Sequence, residues 1–231
     1  SPRLSTDGGV RRQRIDRPLS IWYCLLIMRI IRRRCAGFKL ALYLFVVAGM
    51  GHPALSLAIE VQPTPEQIQA TMERGKTAAA KGASPDQLHE WFGAKEDLTP
   101  HGFIMTKLGS LLVMANHLSL RALSPTDQDV AQVMANGNLL VNVVLFGDRV
   151  NFAADSYIVL EQAGRTVKPS SVRFDARGER TSVWPQQPAY RAKVIAQFPY
   201  ADLDPHAKTT LSVFPSSGGQ VTFELDFAHI E

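Results

Sequence analysis

The chain of 231 residues has a formal net charge of +4, but ten of its 25 Lys and Arg residues lie in residues 1–58, beside only two acidic residues. Residues 59–231 hold 15 basic and 19 acidic residues, so their formal charge is −4 and gives no support for nucleic-acid binding. Both cysteines, Cys24 and Cys35, precede residue 59, which excludes disulfides, thiolate zinc sites and a thiol nucleophile from residues 59–231.

Residues 28–58 have the pattern of a secretory signal peptide. Met28 opens a basic segment with four arginines and Lys39, and the apolar run Leu40–Met50 follows. Gly51 and Pro53 interrupt the run, and Ser56-Leu57-Ala58 places small residues before a cut. We therefore expect cleavage between Ala58 and Ile59 and export of residues 59–231.

Two alternatives concern the region before residue 59. Segment 40–57 is an uncleaved anchor in the first, although a spanning helix needs about 20 apolar residues and this run is about half as long. Residues 1–27 begin at Ser1 and are rich in arginine without a hydrophobic period, so we interpret them as an upstream extension that is not native or is disordered. The second alternative makes residues 1–27 a genuine basic tail on that anchor.

Residues 59–98 are predicted to be a helical lead-in. Thr64-Pro65-Glu66-Gln67 has the pattern of a capping box with proline at the first helical position, and the helix is expected to run to Lys81. Its apolar face is thin and Gly75 weakens it, so loose docking or a solvated stalk is expected. Ser84–Gln87 repeats the start signal and predicts a short helix carrying Leu88, Trp91 and Phe92.

The stretch from Phe103 to Leu123 contains two competing patterns. Leu108, Leu111, Leu112 and Ala115 fit one face of a helix, whereas Phe103, Met105, Leu118 and Leu120 alternate as in strands. We predict two strands with a kink near Gly109-Ser110. The next segment, Pro125–Ala135, is predicted to be a helix started by Ser124–Asp127.

From residue 139 onward the chain alternates between short β-forming runs and turns. Such spacing favours an antiparallel sandwich or barrel, and we predict a mainly β immunoglobulin-like β-sandwich over residues 99–231 with one inserted helix. No specific motif connects the chain to a named family. The predicted strands are Leu139–Phe146, Tyr157–Leu160, Thr166–Phe174, Tyr190–Phe198, Thr209–Phe214 and Val221–Phe227.

No catalytic constellation stands out, and no catalytic or cofactor-binding residue is predicted. Gly109-Ser110-Leu111 lacks the rest of a nucleophile elbow, and no phosphate-binding glycine loop is present. Weak metal-ligand candidates are Asp202, Asp204 and His206, because alternate residues of an extended chain share a side. Asp204-Pro205 is also an ordinary turn start, which we regard as the stronger interpretation.

Three aromatic residues are candidates for recognition. Trp91 and Phe92 follow the short helix, and Trp184 lies in a loop with Pro185 and Pro188. Exposed tryptophan is frequent at recognition surfaces, although each ring could instead cover one end of the sandwich.

The sequence favours an exported, periplasmic or extracellular, non-catalytic binding or accessory domain without a cofactor. Its expected partner is a protein or polymer of unknown identity and not a nucleic acid, and it meets the membrane only through its N-terminal segment during export. One alternative is a small periplasmic metal-dependent enzyme at Asp202, Asp204 and His206. The other is a membrane-anchored accessory subunit that keeps segment 40–57.

Overall fold

The structure is a computed structural model that describes residues 58–94 and 96–230. Its helices are α1 (Pro65–Ala80), α2 (Lys107–Ser119) and α3 (Asp127–Ala135), and short 3₁₀ turns lie at Pro85–Leu88, Tyr200–Asp202 and Phe227–His229. The strands are β1 (Glu90–Gly93), β2 (His101–Met105), β3 (Asn138–Gly147), β4 (Tyr157–Gln162), β5 (Arg165–Val167), β6 (Ser171–Phe174), β7 (Glu179–Arg180), β8 (Tyr190–Pro199), β9 (Lys208–Phe214) and β10 (Val221–Asp226).

The strands form two antiparallel sheets. The six-stranded sheet has the order β1-β2-β3-β8-β6, with β7 also paired to β8, and the four-stranded sheet has the order β10-β9-β4-β5. All the strand pairs are antiparallel. The prediction of a mainly β protein is confirmed at this level.

Alternate residues of the strands build one hydrophobic core that both sheets share. On β3, Leu139, Val141, Val143 and Leu145 are buried, and their neighbours in sequence are more exposed, as expected for a strand with one face inward. The four-stranded sheet contributes Ile158, Leu160, Leu211, Val213 and Phe223 to the same core. A buried side chain of this kind stabilises the fold by roughly 1.5–3 kcal/mol relative to an exposed one.

Helix α1 begins at the capping box that the sequence predicts. The Gln67 amide N–H donates to Thr64 Oγ1 at 3.3 Å, and the Thr64 amide N–H donates to Gln67 Oε1 at 2.7 Å. The helix packs along α2, and its buried residues are Thr71 and Gly75. The helix has no broad apolar stripe, and that absence suggested a solvated stalk. Close backbone packing through Gly75 holds the helix against α2 instead.

The prediction of two strands between Phe103 and Leu123 is wrong beyond Met105. β2 ends there, Thr106 accepts a hydrogen bond from the Gly109 amide at 2.9 Å, and α2 begins. The helical face Leu108, Leu111 and Ala115 is buried, so the helical period outweighs the alternating pattern. Two helices, α2 and α3, are consequently inserted between β2 and β3, not one.

Two further segments differ from the sequence interpretation. The short helix ends at Leu88, and Trp91 and Phe92 lie on β1, the edge strand paired with β2. The predicted strand Thr166–Phe174 is two strands, because β5 pairs with β4 in one sheet and β6 pairs with β8 in the other. The chain crosses between the sheets at Lys168-Pro169-Ser170, where proline removes a ladder donor.

The predicted signal peptide up to residue 57, the extension 1–27 and the anchor segment 40–57 lie outside the described residues. Among the residues that are described, none of the helices combines the length and the apolar character needed to cross a membrane. Within the predicted lead-in, β1 pairs with β2, and Ile59 is buried in the common core.

Candidate functional site

A cleft of about 940 Å³ lies at one end of the six-stranded sheet, on the face turned away from the core. Its floor is formed by His101 on β2, Phe146 on β3 and Arg191 on β8. Phe146 lies directly opposite Arg191 in the pairing register, and the neighbours Leu145 and Ala192 point into the core. Strand alternation therefore delivers these three side chains to the outer face of adjacent strands.

Two connecting segments form opposite walls of the cleft. The loop between β1 and β2 contributes Glu96 and Asp97, and the end of β7 contributes Arg180 with Thr181 and Ser182 behind it. Glu96 and Asp97 are exposed and make no ion pair with the described residues. The cleft thus has one acidic wall and one basic wall over a partly aromatic floor.

Trp91 is a fixed and exposed aromatic surface in this cleft. Its indole Nε1–H donates to the Asp86 carbonyl at 3.0 Å, and its ring contacts Phe103 edge-on at a centroid distance of 5.3 Å. Its side chain is nevertheless 49 % exposed. A large ring that is held in place and already hydrogen-bonded loses little conformational freedom when a ligand stacks on it.

The two arginines of the cleft have different electrostatic environments. Arg191 Nη2 lies 2.8 Å from Glu179 Oε2, so its charge is compensated within the protein. Arg180 instead stacks on Trp184, with the guanidinium carbon 4.1 Å from the ring centroid, and none of the described carboxylates pairs with it. Stacking leaves the guanidinium N–H groups free to bind a planar anion.

His89 connects the cleft to the body of the protein. Its ring stacks on Phe103 at 4.1 Å with an interplanar angle of 16°, and its Nδ1 atom is buried without a hydrogen-bond partner among the described residues. Burial lowers the pKa of His89 below its ordinary value of 6.5, and the nearby Asp86 carboxylate opposes that shift. Burial therefore favours the neutral form of His89 in the folded protein.

We expect acid to destabilise the folded protein through His89. Because the folded-state pKa of His89 is lowered, the unfolded chain binds a proton first as the pH falls below 6.5, and stability is lost through that window. The variant His89→Phe keeps the stacked ring and removes the titration. Urea unfolding between about pH 5 and pH 8 should show a shallower loss of stability on the acid side for His89→Phe than for the unchanged chain.

The exposed His117 on α2 supplies the matched control for this measurement. His117→Phe should keep the acid dependence of the unchanged chain, since the predicted effect comes from His89, whose partly buried ring stacks on Phe103. Parallel pH curves for the His89→Phe variant and the unchanged chain would contradict the assigned role.

The three aromatic candidates have different positions. Trp91 lies in the wall of the cleft, and Trp184 stacks on Arg180 beside it. Phe92 borders the cleft, but its ring packs edge-on against Phe223 of the core at 4.9 Å. Sequence reasoning did not single out Arg180, Phe146, Glu96 or Asp97, since nothing local marks them and the tertiary fold brings them together.

The predicted metal ligands occupy an ordinary turn. The Asp204 carboxylate accepts a hydrogen bond from the His206 amide at 2.9 Å, and the Asp204 backbone is held by the side chain of Gln162. The Asp202 carbonyl accepts from Arg165. No group of three or more His, Cys, Asp or Glu side chains in the described part of the chain is placed to hold a metal ion.

The predicted cleavage point lies at the start of the described chain. Ile59 is 3 % exposed, and its amide N–H donates to the Phe227 carbonyl at 3.1 Å, whereas Ala58 is partly exposed. Phe227 in turn donates to the carbonyl of Ala207, just before β9. This end of the body lies where β8 ends and β9 begins, away from the cleft at the start of β8.

No protein-family model matches the chain, and no curated protein matches it either. Among solved structures, it is similar to the archaellum periplasmic stator protein complex of FlaF and FlaG from Sulfolobus acidocaldarius, with 13% identity, a TM-score of 0.28 and coverage of 38% of this chain and 77% of that chain. The stator protein FlaG from the same organism gives 13% identity, a TM-score of 0.25 and coverage of 39% and 88%. Likenesses this weak assign neither a family nor a function.

Proposed function

We propose that this protein is an exported, non-catalytic accessory domain of the periplasm or cell surface that binds a partner molecule through the cleft. The observation that carries the proposal is the pairing of an exposed, fixed Trp91 with an uncompensated Arg180 across one concave site. Tryptophan and arginine are the residue types that most often dominate binding energy. Among the described residues, these side chains are arranged for stacking and ion pairing.

Export is proposed from the pattern of residues 28–58, with cleavage between Ala58 and Ile59. We also propose that residues 99–231 form an immunoglobulin-like β-sandwich, to which the lead-in 59–98 contributes β1 and a packed helix. Support for this architecture comes from two antiparallel sheets with one common core.

The position of the cleft suits an accessory domain. The ten residues of β8 separate the cleft from the end that holds Ile59, which corresponds to about 30 Å of extended strand. A partner bound in the cleft would therefore lie away from Ile59. The same geometry would serve a cleaved protein and one that keeps segment 40–57 as an anchor.

Site-specific photo-crosslinking in native cells tests the proposal. A photoreactive phenylalanine at Ser182, on the basic wall, is expected to give a discrete adduct that disappears when Trp91→Ala is added. The matched control places the same group at Thr222, an exposed position on the outer face of β10. Identical adducts from both positions, or no adduct from Ser182, would contradict binding through the cleft.

The intact mass of the protein from fractionated cells tests export separately. A soluble species that begins at Ile59 is the expected result. A membrane-bound species that retains Met28 would favour the anchored accessory subunit and leave the binding proposal unchanged.

A further inference from the structure

The proposed function leaves the chemical class of the partner open, and the cleft contains features that narrow it. A ligand must complement three features of the cleft, which are the exposed ring of Trp91, the free guanidinium of Arg180 and the acidic pair Glu96 and Asp97. Each excludes some classes of ligand.

Arg180 is suited to bind a carboxylate or another planar anion. Its guanidinium carbon lies 4.1 Å from the centroid of the Trp184 ring, and the adjacent Arg191 is already neutralised by Glu179. Arg180 therefore supplies the uncompensated positive charge of the basic wall. A single carboxylate can accept two parallel hydrogen bonds from such a group.

The opposite wall disfavours a polyanion. Glu96 and Asp97 are both exposed and line the cleft, and neither makes an ion pair within the described residues. A uniformly acidic polymer would gain at Arg180 and lose at this wall. An occupant of mixed charge satisfies both walls.

The continuation of the cleft over the sheet favours an extended chain over a compact small molecule. A second cavity of about 150 Å³ shares His101, Phe146 and Arg191 with the cleft and continues over Asp175 and Lys193. The groove thus runs across the outer face of the sheet from the β1 side to the β8 side. Charged groups of both signs, Asp175 and Lys193, also border its continuation.

We propose that the cleft binds an extended polypeptide segment of a partner protein, in which an acidic side chain lies beside an aromatic or large aliphatic one. The carboxylate pairs with Arg180, the apolar side chain stacks on Trp91 over Phe146, and a basic side chain faces Glu96 and Asp97. A polypeptide supplies these three groups at adjacent positions, whereas a neutral polysaccharide supplies only the stacking face. This inference rests on the proposed function and specifies its partner.

A random 12-residue peptide library displayed on phage, panned against the full chain, tests the inference. Enriched peptides should share an Asp or Glu next to an aromatic or large aliphatic residue. Their affinity, measured by titration of synthetic peptides, should fall about tenfold or more with Arg180→Gln and with Trp91→Ala. The matched control Arg173→Gln, an exposed arginine on β6 outside the cleft, should leave the affinity unchanged.

The other outcomes separate this inference from the proposed function. The inference would be overturned by enriched peptides without an acidic residue, or by peptide affinities that do not change with Arg180→Gln. If no peptide is enriched and chitohexaose binds in a manner that depends on Trp91, the partner is a glycan, so the inference fails and binding through the cleft stands. If neither probe binds, the inference fails, and the Ser182 adduct alone decides whether the cleft binds a partner.

Discussion

Replacing Gly75 by alanine should destabilise the folded protein by about 1–3 kcal/mol, although alanine is the better helix former. A Cβ atom at Gly75 would lie 2.6 Å from the Leu112 carbonyl oxygen and 2.7 Å from Ala115 Cβ, both on α2. These are distances that real Cβ contacts do not reach, and the nearest atom belongs to the backbone. Helix α1 must therefore shift away from α2, which weakens the packing of the helix face that carries Thr71 and Gly75.

The sign of the change in unfolding free energy distinguishes a packed α1 from a solvated stalk. A solvated stalk would gain about 1 kcal/mol from Gly75→Ala, because glycine costs that much in a helix interior. Urea unfolding of Gly75→Ala decides between them. Gly137→Ala is the matched control, since a Cβ there meets nothing within 4 Å and should change the unfolding free energy by only a few tenths of a kcal/mol. A stabilised Gly75→Ala variant would contradict the packed helix.

The parts of the fold that sequence reasoning predicts correctly are governed by local interactions. The start of α1 is an example, since a capping box needs only Thr64 and Gln67, three residues apart. The β9–β10 hairpin is another, because a turn-forming loop joins two β-forming runs that pair directly. Such elements depend little on what the remainder of the chain does.

The errors arise where local patterns overlap or where tertiary contacts decide. β2 passes into α2 at Thr106 with neither Gly nor Pro between them, so alternating and helical periods merge into one ambiguous run. β1 has four residues, and pairing with β2 is what holds Trp91 in a strand. Propensity alone cannot anticipate a strand of that length.

The candidate site shows the same division. The exposed tryptophans were identified by residue type alone, and Trp91 does lie in the cleft wall. The remainder of the cleft depends in part on the register that sets Phe146 opposite Arg191, on two strands that are far apart in sequence. The register between strands that are distant in the chain cannot be derived from a single sequence.

The second large effect is expected at Ile59, the residue that follows the proposed cleavage point. Ile59 is 3 % exposed and belongs to the core that both sheets share, so Ile59→Ala removes buried methyl groups from a packed site. We expect the unfolding free energy to fall by about 2–5 kcal/mol for Ile59→Ala and by about 0.5–1.5 kcal/mol for Ile59→Val. The exposed neighbour Gln62→Ala should change it little and serves as the control.

The position of Ile59 also constrains where processing can occur. A cut before Ile59 leaves a nitrogen that can still donate to the Phe227 carbonyl, where the amide now donates at 3.1 Å. A cut after it would remove both this hydrogen bond and the buried side chain, so the proposed cleavage after Ala58 would leave the core intact. Urea unfolding of the protein purified from native cells, with N-terminal sequencing of each variant, measures both the stability and the position of any cut. If Ile59→Ala unfolds at the same urea concentration as the unchanged chain, Ile59 contributes nothing to the core and this constraint disappears.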